Sequence, residues 1–147
     1  MQSFVRILFG ATLLGAFAQP AGAGAAFSYL TPAQQKEHDC RHAESRGDFA
    51  NSLPICLSAA AQYKQIGDAE KRNPWYSYEV EGMMLEAAAL DYSALGRHHE
   101  ALETALEAHR ILLYTYRTYP MDPSDRTELS SIAARVARLA DEERGRR

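Results

Sequence analysis

Two stretches of this chain share a pattern that leaves little room for anything but paired helices. One reads Gly47-Asp48-Phe49-Ala50-Asn51-Ser52-Leu53-Pro54, the other Gly96-Arg97-His98-His99-Glu100-Ala101-Leu102. Each opens on a glycine, reaches a small residue followed by leucine, and returns to small residues at helical spacing. Glycine ends a helix in a left-handed turn at little steric cost. The small residues beyond it allow a second helix to cross close to the first. Apolar/polar alternation and β-branched clusters, the marks of strands, are scarce. The expectation is an all-α chain of about five helices.

Local signals place those helices. Thr31-Pro32 opens the first, threonine as N-cap and proline at the first helical position, and it runs to about Arg46. The second begins near Asp48 or Ser52, an ambiguity introduced by Pro54, and continues to Gly67. Asp68 to Trp75 reads as a polar connector with a breaker at Asn73-Pro74. The third helix spans about Ser77 to Leu95, and the fourth about His98 to Thr118, stopping before Pro120. Asp122-Pro123 starts a fifth, whose apolar stripe is Leu129, Ile132, Ala133, Val136, Leu139 and Ala140. Its other face carries Glu128, Arg135, Arg138, Asp141 and Glu142.

The amino terminus suggests export. Arg6 precedes an apolar run from Ile7 to Ala18, followed by Pro20 and the small residues Ala21 to Ala26. This is the layout of a signal peptide over residues 1–26, cleaved between 23 and 27. The run is shorter than the ~20 residues of a membrane span, so no stable membrane insertion is expected after cleavage. Residues 27–147 then form a single helical domain, periplasmic or secreted. Few lysines, many arginines and abundant alanine suit a bacterium with a GC-rich genome. The formal charge of -3 argues against nucleic acid as a ligand.

Export makes a disulfide the expectation for Cys40 and Cys56, the only two cysteines. They lie on either side of Gly47, and antiparallel helices meeting there bring them to nearly the same level. The bridge closes a loop of ~15 residues, for which chain entropy gives about 3 kcal/mol. Their spacing matches no redox motif.

Aligned at Gly47 and Gly96, 49 residues apart, each half resembles a tetratricopeptide repeat, although that unit is ~34 residues long. The three crossing sites that the family keeps small match Cys40, Ser52 and Ala59 in the first half and Ala89, Ala101 and Ala108 in the second. Tyr92 matches the family's aromatic on the first helix, and Leu53-Pro54 fits a variant of the second. Lys36 and Asp39 depart from the pattern, standing where the family prefers large apolar residues. The closing proline is also absent after both second helices.

The resemblance implies two antiparallel hairpins with the fifth helix as a C-terminal cap. It also implies a concave groove lined by the first helix of each hairpin. By position that groove presents Gln34, Glu37, His38, Arg41, Glu44 and Ser45 from one helix and Met83, Glu86, Ala87, Leu90 and Ala94 from the other. Arg41 among carboxylates, beside Met83 and Leu90, suits a peptide with apolar anchors. The alternative is a solvated face that packs on the next element.

Trp75, Tyr76 and Tyr78 are of the types enriched at interaction hot spots, and equally of those that plug the end of a helical core. Tyr114 and Tyr116 are two apart and cannot share a helix face. His38 and His42, four apart, present a two-ligand metal spacing, which also arises on solvated helices. No nucleophile elbow, phosphate loop or nucleotide turn occurs, and no residue stands out as catalytic or calls for a cofactor. The function expected is a non-enzymatic scaffold or adaptor for a protein or peptide of the cell envelope. The alternatives are a small bundle binding a metal or small ligand through His38 and His42, or a self-associating structural subunit.

Overall fold

The computed structural model describes residues 30–146, which form five helices and, among these residues, no strand. They are α1 (Pro32–Ser45), α2 (Phe49–Ala69), α3 (Trp75–Ala94), α4 (His98–Thr118) and α5 (Pro123–Gly145). The expected leader lies outside the described residues. No helix among them is long and apolar enough to cross a membrane.

The two glycine turns are one turn built twice. Gly47 and Gly96 have φ of 70° and 74°, left-handed values that a side chain disfavours. Gly47 N–H donates to Glu44 O and Asp48 N–H to Ala43 O. At the second turn Gly96 N–H donates to Ser93 O and Arg97 N–H to Tyr92 O, the same pair of bonds. These bonds satisfy the last carbonyls of α1 and α3. The next residues repeat too: Asp48 sits at φ -88°, ψ 61° and Arg97 at φ -89°, ψ 63°.

Other boundaries follow from local chemistry. Thr31 caps α1 in a capping box, its hydroxyl accepting from Gln34 N–H while Gln34 Oε1 accepts from Thr31 N–H at 3.0 Å. Asp122 caps α5, accepting from the Ser124 and Asp125 amides. α2 starts at Phe49, so Pro54 falls inside the helix on an exposed flank. α3 starts at Trp75, earlier than the sequence suggests. Pro74 holds a helical conformation (φ -75°, ψ -1°) and its carbonyl accepts from Tyr78 N–H.

Successive helices pack as neighbours, and α3 also touches α1 and α5. It is therefore central, with a core on each side. One joins α1, α2 and α3 around Cys40, Leu53, Cys56, Tyr63 and Met84. The other joins α3, α4 and α5 around Ala89, Leu102, Leu112, Leu129 and Val136. Cys40, Ser52, Ala59, Ala89, Ala101 and Ala108, the six small residues singled out in the sequence, are all 0% exposed. Cys40 and Cys56 are bonded across α1 and α2, their Cα atoms 5.0 Å apart. A Cβ placed on Gly82 of α3 would lie 2.6 Å from the Leu112 side chain, so this glycine permits the close approach of α4.

Candidate functional site

A groove runs along α3, with α1 as one wall and α5 as the other. Three hollows make it up, joined through shared lining residues. The largest, about 650 Å³, lies at the C-terminal end of α3 against Arg41, Ser45, Phe49 and Leu90. A middle one of about 190 Å³ shares Arg41, Glu44 and Leu90 and adds Met83, Glu86 and Arg135. The third, about 300 Å³, shares Met83 and lies among Glu37, Trp75, Tyr76, Glu79, Asp125 and Glu128.

The groove changes character along its length. At the first end Leu90 is 46% exposed, and Phe49 projects beside it. In the middle Arg135 of α5 binds Glu86 of α3 through two parallel hydrogen bonds of 2.8 and 2.7 Å, the strongest geometry open to a guanidinium and a carboxylate. Arg41 donates to Glu37 Oε1, and the Tyr63 hydroxyl donates to Glu37 Oε2 at 2.8 Å. Burial, then this bond, raises the Tyr63 pKa. Glu44 is raised by burial and by nearby Asp91, against the opposing pull of Arg41.

The third hollow is acidic and aromatic. Glu79 is 7% exposed, and burial, reinforced by Glu128 and Asp125, pushes its carboxyl up to about 7. Asp125 is raised as well, by burial first and then by Asp122 and Glu128. Trp75 and Tyr76 meet edge to face, their centroids 6.1 Å apart.

Of the residues the sequence nominated, Glu37, Arg41, Glu44, Trp75, Tyr76, Met83, Glu86 and Leu90 line the groove. Two of the nominated residues do not line these hollows. Gln34 is engaged in capping α1. The His38 ring instead stacks on that of His42, with centroids 6.1 Å apart and planes 9° from parallel. His42 Nδ1 lies 3.1 Å from the Arg46 guanidinium and His38 Nδ1 3.5 Å from Asp39. Among the described residues no three His, Cys, Asp or Glu side chains are placed to hold a metal ion. Tyr78 faces elsewhere, packed on Gly67 and donating to Asp68 Oδ1.

Sequence reasoning missed the α5 wall. Glu128 and Arg135 read there as a solvated outer face, and Arg135 stands 49 residues from the Glu86 it binds. Glu79 and Val80 of α3 were also missed. The one available signal was the charge on both flanks of the α5 stripe. Besides its apolar packing on α4, the end of α5 is tied to α3 and α4 through Glu143, 0% exposed. That carboxylate accepts from the Ser93 hydroxyl and from Arg146, with His98 Nδ1 at 2.8 Å. Burial alone would raise its pKa, but these partners hold it below the ordinary value.

Compared with family models, with curated proteins and with solved structures, the chain shows no match.

Proposed function

We propose that this protein is a non-enzymatic scaffold that binds a protein or peptide segment in the groove between α1 and α5. The observation that carries the reading is the groove's continuity. It runs the length of α3, stays open to solvent, and combines exposed apolar side chains with fixed ion pairs. Such a surface suits an extended segment. The walls are pre-organised by the Cys40–Cys56 bridge and by Glu143, so little ordering cost falls on binding.

The architecture fits two tetratricopeptide-like hairpins capped by α5. Supporting this are the twin glycine turns and the six buried small residues at the helix crossings. From the apolar run Ile7 to Ala18 and the small residues that follow it, we also propose export to the cell envelope.

Selection of phage-displayed peptides against this chain, and against an Arg41→Glu, Leu90→Glu variant, tests the proposal. The expected result is a set of peptides held by the first and lost by the second, with both proteins melting alike. Peptides retained equally by both refute the groove.

A further inference from the structure

We infer that the acidic end of the groove, where the Glu79 carboxyl opens among Trp75, Tyr76, Asp125 and Glu128, receives a basic side chain of the bound peptide. The inference rests on the groove reading above and names the chemistry of its ligand. Glu79 makes no hydrogen bond and no ion pair among the described residues, although it is more than nine-tenths buried. Its carboxyl meets water only through the hollow, and a carboxylate so sparsely hydrated gains from a cationic partner. Its two charged neighbours, Asp125 and Glu128, are both negative and make the deficit worse.

The contrast with the rest of the molecule gives this weight. Glu37 has Arg41, Glu86 has Arg135, and the fully buried Glu143 has Arg146 and His98. Glu81, on the opposite side of α3, lies within electrostatic reach of Lys64 and Arg110. Asp91 Oδ1 is buried without a hydrogen-bond partner but does not line the groove. Among the described residues, only Glu79 combines burial, acidic neighbours with no cation to offset them, and an opening into a hollow of residue size. Trp75 and Tyr76 supply ring faces and edges at the same place, and tyrosine and tryptophan attract cations electrostatically. The carboxylates are not arranged as a metal-ligand set, which favours an organic cation on a flexible stem.

The groove also sets a spacing. Glu79 and Leu90 lie eleven residues apart on α3, about 16 Å at the helical rise of 1.5 Å per residue. An extended peptide advances about 3.3 Å per residue. The ligand therefore carries its basic residue about five positions from a bulky apolar one.

Trp75 is the only tryptophan, so its fluorescence reads this end of the groove directly. Two nonapeptides serve as probes. One has arginine second and leucine seventh among alanines and serines; the other has citrulline, an uncharged isostere, in place of arginine. The expected result is at least tenfold tighter binding of the arginine peptide, measured by Trp75 fluorescence and calorimetry at low salt. Glu79→Gln should cut that preference to about twofold. Glu128→Gln, on an exposed flank, should reduce it without altering the melt.

Equal binding of both peptides, abolished by Leu90→Glu, refutes the cation site and leaves the groove standing. An arginine preference unchanged in both glutamine variants refutes the assignment to Glu79 and Glu128. No binding of either peptide at millimolar concentration overturns this inference and the groove reading together.

Discussion

Replacing Glu79 and Glu81 together with glutamine is expected to raise stability at neutral and alkaline pH and to leave it nearly unchanged at pH 4.5. The two side chains leave α3 on opposite sides and are 7% and 6% exposed. Burial lifts each carboxyl from 4.5 to about 7. For Glu81, Lys64 of α2 and Arg110 of α4 oppose the rise, while Asp68 and Glu107 add to it. A raised acid binds more protons folded than unfolded between pH 4.5 and 7. Its contribution is thus complete below 4.5 and is lost as pH climbs through 7. At about 1.4 kcal/mol per pH unit, the shift corresponds to roughly 3 kcal/mol for each group. Water reaches both carboxyls through the hollows they line, and screening reduces this to about 1–2 kcal/mol each. The pair together should move the midpoint by roughly 10 °C. Thermal melts of both proteins between pH 4.5 and 8 isolate the pair, because every other titrating group is common to the two. Parallel profiles, with no gap opening between pH 5 and 7, would refute the reasoning.

Three further outcomes follow from the packing. Replacing Cys40 and Cys56 together with alanine should cost about 3 kcal/mol, the entropy of a ~15-residue loop, read as a lower denaturant midpoint. Gly82→Ala gains roughly 1 kcal/mol in helix propensity yet should be net destabilising by about 1–2 kcal/mol. Its Cβ meets the buried Leu112 at 2.6 Å, and Leu112→Ala should make the same change benign in a double-mutant cycle. Glu143→Ala should cost about 3 kcal/mol at neutral pH, since it leaves Ser93, His98 and Arg146 without their shared acceptor. Because its partners hold the Glu143 pKa down, that contribution is present at neutral pH and is lost only as pH falls through the lowered value. A chemical-denaturation series from pH 7 to 3 checks it.

The sequence was most readable where backbone chemistry is local. Gly47, Gly96, Thr31, Asp122 and Pro123 act within a turn of their own positions, and each does in the structure what its type prefers. The cysteine pair was legible because a single hairpin relates its two members. Pro74 was misleading, since proline ends one segment and begins another equally well, and here it precedes α3 directly. α3 itself resisted periodicity. Surrounded by α2 and α4, and touched by α1 and α5, it buries Glu79, Glu81, Glu86 and Asp91 on several sides at once. A pattern that assumes one wet face cannot anticipate this. Half the groove was legible from α1 and α3. The other wall depended on Arg135 meeting Glu86, a contact that no local spacing encodes.

The two walls of the groove are fastened by different means. α1 is tied to α2 by a covalent bridge near its middle, whereas α5 is seated on α4 by the apolar core around Leu129, Ile132 and Val136 and latched by the Arg135–Glu86 pair and the bonds converging on Glu143. One wall of the groove is thus locked covalently and the other by packing and ion pairs. Acid that protonates Glu143, below its lowered pKa, loosens the second fastening and leaves the disulfide intact.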